Sequence, residues 1–178
     1  AQSTYAVVGH FDDQEAIERL KRDRDNEVVG VFADLRIEAT PAVYCHRGPV
    51  GTFGDVVRRL GIPKLRRAGL TGKGTRIAVV DTGIHGAHPA PDGKPLKKSI
   101  VGGYSPRPNY QPGSSAVGHG TMVAFDTLLS APQAKLLDYA LLQTTARTWE
   151  SFLSDALVAF ASLIDLMQSK PGPLVVNN

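Results

Sequence analysis

The sequence contains one cysteine, two methionines and one tryptophan, and aromatic residues make up only 7% of its 178 positions. A lone cysteine, Cys45, rules out an internal disulfide, so the core must hold the fold without covalent help. That fits a reducing compartment and does not exclude secretion. Cys45 adjoins His46, but neighbours in an extended chain point to opposite sides, which argues against a thiol–imidazole pair. No apolar run approaches the ~20 residues of a membrane span. Ala1–Thr4 leads directly into a strand-like run, with none of the pattern of a signal peptide. The sequence is compatible with a cytoplasmic or a secreted protein, and no membrane partner is expected.

The hydrophobic share of 42% and charged share of 21% are those of an ordinary globular chain. Its net charge of +3 is unevenly spread. Residues 1–50 carry six basic and nine acidic side chains, and residues 51–100 carry ten basic and three acidic. Arg58, Arg59, Lys64, Arg66, Arg67, Lys73 and Arg76 occur with no acidic residue between Asp55 and Asp81. Such a stripe can bind phosphates. Without interleaved aromatics or a zinc-finger or RNP-type motif, nucleic acid is not expected as a partner. A solvated face, or one that docks the acidic N-terminal piece, explains the stripe better.

Residues 1–45 read as a small β-α-β piece. Tyr5–Phe11 is strand-like, and a helix over Asp13–Arg24 follows, with Ala16, Ile17 and Leu20 on one face. The apolar run Glu27–Phe32 reads as a second strand, with a possible return near Leu35–Ala39. His10 falls at the surface of this piece. Residues 46–69 read as a linker and a short helix capped by Thr52, with Asp55 at the third position. Gly69–Gly74 is glycine-rich, but it precedes a strand and lacks the Gly-Lys-Ser/Thr ending of a phosphate-binding loop.

Residues 70–178 form the main domain. Arg76–Val80 reads as a buried strand that delivers Asp81, and an irregular stretch from His85 to Val117 follows. A helix over Met122–Leu129 has His119 close to its first turn, and Lys135–Leu142 is the next strand. Trp149–Lys170 reads as a helix, with Thr148 a candidate cap. Its stripe of Phe152, Leu153, Ala156, Leu157, Phe160, Leu163, Ile164 and Met167 predicts core packing. Leu174–Asn178 begins a further buried strand. This alternation predicts an α/β fold, a parallel sheet with crossover helices, left incomplete by the last strand.

Three chemistries compete for Asp81-Thr82-Gly83. An aspartic protease needs two such motifs in an all-β fold, and only one is present, among helices. A metal site built on His85 and His88 would need a third ligand, and none has a suggestive spacing. The third reading joins Asp81-Thr82-Gly83-Ile84 and His88-Pro89 to Gly118-His119-Gly120-Thr121, which opens a helix. With the preceding Ala68–Gly74 loop, the following Ala131–Leu136 segment and Leu174–Asn178, these motifs resemble the subtilases, the subtilisin-like serine proteases. The likeness covers about residues 52–178 in the family's order.

The resemblance implies a serine endopeptidase acting on polypeptides through an Asp-His-Ser triad. Asp81 and His119 are its catalytic candidates: His119 as the base that activates a serine, Asp81 as the group that orients the imidazole. Aspartate before histidine is the chain order of subtilisin itself. Gly118 and Gly120 would allow close packing around the imidazole. No serine stands in a Gly-Thr-Ser context, and no asparagine in an Ala-Gly-Asn context. Ser114, Ser115, Asn177 and Asn178 do not match those positions, and Met122 replaces a second histidine common in the family. The chain is thus expected to be inactive alone, its partner being the C-terminal half of the catalytic domain, in the same or a separate chain. The alternative is a split or degenerate relative that binds or scaffolds without catalysis. Residues 1–45 resemble a shortened subtilase propeptide. No cofactor is evident, and calcium is a possibility the family carries.

Overall fold

A computed structural model of the chain describes residues 5–22, 28, 30–38, 51–144 and 149–178. In chain order they form α1 (Gln14–Arg22), β1 (Arg36–Glu38), α2 (Phe53–Arg59), α3 (Ile62–Arg67), β2 (Arg76–Asp81), β3 (Ile100–Tyr104), α4 (Gly118–Ser130), β4 (Lys135–Ala140), β5 (Gln143–Thr144), β6 (Trp149–Phe152), α5 (Leu153–Ser169) and β7 (Leu174–Asn177). Four strands make a parallel sheet in the order β3-β4-β2-β7, and β1-β6-β5 make a small antiparallel one. The α/β architecture expected from the alternating pattern is present.

The pleat of β2 sorts its residues between two cores. Ile77 and Val79 pack with Leu136, Ala124 and Leu128, on the side covered by α4. Ala78 and Val80 pack with Leu137, Tyr139, Ala159 and Leu163, on the side covered by α5. A strand buried on both faces reads as the continuous apolar run seen in the sequence. Each large side chain removed from water here contributes about 1.5–3 kcal/mol. The same alternation sends Asp81, two residues beyond Val79, towards α4. Asp138 likewise follows Leu136 onto that face.

The short helix α2 begins as its sequence predicts. Thr52 accepts from the Asp55 backbone N–H at 3.3 Å while the Asp55 carboxylate accepts from the Thr52 N–H at 2.7 Å, a reciprocal cap. Those Thr52 bonds hold the exposed Asp55 carboxyl below its usual range.

Several expectations need correction. Tyr5–Phe11 forms no strand, and of Glu27–Phe32 the described residues 28 and 30–32 form none either. Among its described residues the β-α-β piece is therefore a helix and one short strand. That strand, β1, pairs antiparallel with β6, Ile37 opposite Ser151. An isolated β-α-β unit of this size has too little apolar surface to order its own sheet, so its backbone pairs with an existing edge instead. Among the described residues the long-range bonds of the acidic N-terminal piece go to β6 and α5, through Arg36–Glu150 at 3.1 Å and Asp34 to Ser154. Arg76 leaves the basic stripe. Its guanidinium donates to the carbonyls of Leu166, Lys170 and Gly172, where a cation meets the negative end of α5.

The stretch expected to be irregular contains β3, whose Gly102 and Gly103 hide its strand character. The long helix begins at Leu153, four residues later than expected, because Trp149–Phe152 is drawn into the antiparallel sheet. Its apolar stripe is wider than the face that is covered. Ala156, Ala159, Leu163 and Leu166 face the core, whereas Leu157, Phe160, Ile164 and Met167 are 38–53% exposed. Residues 39–50, which include Cys45, His46 and the start of the expected linker, and Thr148 lie outside the described residues.

Candidate active site

Asp81 ends β2 and His119 is the second residue of α4, so a strand end and a helix start present the two side chains to each other. His119 Nδ1 lies 2.9 Å from Asp81 Oδ1 and 2.8 Å from Oδ2. The aspartate side chain is 11% exposed and the imidazole 41%. The backbone N–H of Thr82 donates to Asp81 Oδ1 at 2.6 Å and fixes the carboxylate in place. A carboxylate that accepts the Nδ1 proton of a neutral imidazole leaves the basic lone pair on Nε2.

The turn after Asp81 is tied to the helix that carries His119. The N–H of Gly120 donates to Thr82 Oγ1 at 3.1 Å, and the N–H of His85 donates to Thr121 Oγ1 at 2.9 Å. Gly120 fits because a Cβ there would lie 2.5 Å from the Gly83 carbonyl oxygen. A Cβ at Gly118 would meet nothing within 4 Å, so the close packing expected of both glycines belongs to Gly120 alone.

Other candidates fall elsewhere. His85 Nδ1 lies 3.0 Å from the Ser115 carbonyl oxygen. His88 Nδ1 is 2.8 Å from that of Pro89, with its ring edge-on to Phe125. Among the described residues no group of three or more His, Cys, Asp or Glu side chains could hold a metal ion. Ser115 is buried; its hydroxyl donates to the Thr82 carbonyl at 3.0 Å and accepts from the Val117 N–H at 3.1 Å, a brace for the turn. His10 is at the surface beside Asp12.

The bracing roles of Thr82, Ser115, Thr121, Asp34 and Asp138 are not legible in the sequence, although Thr82 and Thr121 lie within the two motifs. Asp138 carries one signal, a charge inside the apolar run Leu136–Leu142. It is fully buried. Burial pushes its carboxyl pKa up, against the pull of bonds from Tyr110, Gly113 and Ile84. Burial and Asp138 together raise the Tyr110 hydroxyl above the normal phenol range. No protein-family model matches the chain, and no curated protein matches it.

Proposed function

We propose that the chain carries the aspartate and histidine of a subtilisin-like serine endopeptidase. The observation that carries this reading is the contact of both Asp81 carboxylate oxygens with His119 Nδ1 at the mouth of a parallel sheet. Chemistry in open α/β sheets collects at the carboxyl ends of the strands. The imidazole takes the proton of an attacking serine hydroxyl and then returns it to the leaving amine. Asp81 holds the ring in the tautomer that leaves Nε2 basic and stabilises the imidazolium that forms.

The serine and the oxyanion donor come, on this proposal, from polypeptide that covers β7 and the outer face of α5. Val175, Val176, Leu157 and Ile164 stand 39–53% exposed there. Residues 1–45 act as a docked propeptide-like piece. In support, β1 lies along β6, and residues 34 and 35 satisfy the first N–H groups of α5. Phe152, at the N-cap of α5, has no side-chain acceptor. Leu153 donates instead to the Leu35 carbonyl at 2.8 Å and Ser154 to Asp34 Oδ1 at 2.9 Å.

The test is labelling of the full-length encoded protein, or of this chain with a nucleophile-bearing half, by a fluorophosphonate that marks activated serines. Labelling and peptide hydrolysis are expected with the native sequence and lost in His119→Ala. Near-native cleavage by that variant overturns the assignment. A second reading is a non-catalytic binding half, which a downstream sequence without a Gly-Thr-Ser context would favour. It predicts no labelling in any combination.

A further inference from the structure

Asp138 sits within β4, opposite Val79 of β2, and its side chain is wholly buried on the α4 face. Nothing in the triad chemistry uses it. Three donors converge on this one carboxylate: Ile84 N–H to Oδ1 at 3.1 Å, and the Tyr110 hydroxyl and Gly113 N–H to Oδ2, each at 2.7 Å. Ile84 closes the turn that follows Asp81-Thr82, and Tyr110 and Gly113 belong to the loop that returns towards α4. The carboxylate thus binds the two loops to each other and to the sheet.

We propose that Asp138 is a positioning residue for the Asp81–His119 pair. It acts by fixing the 82–84 turn against the loop of residues 110–115. The inference rests on the reading of that pair as a catalytic dyad. The path to the imidazole is a continuous set of contacts. Asp138 holds Ile84, and the same turn offers Thr82 Oγ1 to the N–H of Gly120, the residue after His119, at 3.1 Å. Ser115 and Arg107 hold the other side of Thr82, donating to its carbonyl at 3.0 Å and 3.4 Å.

Gly83, at the apex, has φ +93°, and a Cβ there would meet the Tyr110 hydroxyl at 2.5 Å and Ala140 Cβ at 2.9 Å. Tyr110 therefore closes directly over the turn, with the Arg107 guanidinium 4.4 Å from its ring centroid. An ordinary structural aspartate is cheaper to place at a surface. Burying a carboxylate in a sheet core is unfavourable unless its bonds are made, and here each of them goes to a loop that frames the dyad.

The experiment is proton NMR of the Nδ1–H of His119, a low-field resonance that persists only while the imidazole is held on a carboxylate and shielded from exchange. The native chain should show it, and Asp81→Asn should abolish it. Asp138→Asn, nearly isosteric, keeps one oxygen and turns an amide N–H towards either the Ile84 or the Gly113 backbone N–H, which can only donate, and should broaden the resonance into solvent exchange at a temperature where the protein is still folded. Tyr110→Phe removes one of the three donors and should displace the resonance without losing it. An unmoved resonance in folded Asp138→Asn overturns the role of Asp138 and leaves the dyad standing. If Asp138→Asn does not fold, Tyr110→Phe decides: an unmoved resonance there overturns the proposal. Absence of the resonance in the native chain, or its survival in Asp81→Asn, overturns the dyad itself and the proposal with it.

Discussion

Asp81 holds His119 with both oxygens of its carboxylate, 2.9 Å and 2.8 Å from the same ring nitrogen. A carboxylate in that position does more than neutralise charge, because it selects one imidazole tautomer and one ring orientation. Asp81→Asn keeps the shape and loses that selection. On the proposed triad reading, in a protein that contains the nucleophile, the rate of peptide hydrolysis should fall by about 10⁴, the loss known for the corresponding change in a serine protease of established mechanism. The measurement is kcat on a peptide substrate; a loss confined to KM would contradict the role given to Asp81.

Gly118 and Gly120 flank His119 yet should respond differently to substitution. Gly118→Ala adds a Cβ into open space and should change stability by no more than about 0.5 kcal/mol. Gly120→Ala drives a Cβ into the Gly83 carbonyl and should cost about 1–3 kcal/mol. Urea denaturation of the two variants side by side checks this. Equal losses would mean that the helix start is not packed on the 82–84 turn.

Asp34 accepts both the backbone N–H and the hydroxyl of Ser154, at 2.9 Å and 2.6 Å, from 120 residues away. Asp34→Ala leaves a helix donor without its acceptor and should lower stability by about 1 kcal/mol. Deleting residues 1–45 also removes β1 from β6 and, on the propeptide-like reading, should reduce folding yield or release inhibition of the proposed peptidase. Thermal melting and activity assays of the truncated protein are the measurements. No change in yield or activity would sink the propeptide-like role.

The buried Asp138 gives stability a definite pH dependence. Its folded-state pKa is raised, by burial above all, so the folded protein binds this proton more tightly than the unfolded chain. The resulting stabilisation is complete below the unfolded value of about 3.9 and is lost as pH rises through the folded value. The stability of the native chain relative to Asp138→Asn should therefore be greatest near pH 4 and decline towards neutrality, as read by urea denaturation at a series of pH values. Asp55, whose pKa is lowered by its Thr52 bonds, works in the opposite sense, stabilising above that unfolded value and losing the effect as pH falls. An advantage that grew towards neutral pH would show the three donors outweighing burial at Asp138.

What the sequence determined by itself was local. The apolar run before Asp81, the Thr52–Asp55 cap and the helix from Met122 onward follow from periods and caps that a few neighbouring residues settle, whereas the opening of that helix at Gly118 has no side-chain cap to announce it. Asp81 and His119 were legible as candidates because their motifs are short and contiguous. Tertiary structure decided everything that depends on pairing across distance. Tyr5–Phe11 has strand composition yet forms no strand, whereas Arg36–Glu38 pairs with β6. Trp149–Phe152 continues a helical pattern and is still taken into a sheet, because its backbone has a partner there. Asp34, Ser115 and Asp138 owe their roles to hydrogen bonds spanning 120, 33 and 54 residues. A buried donor or acceptor must be satisfied wherever the fold brings a partner, and no local pattern records which partner that is.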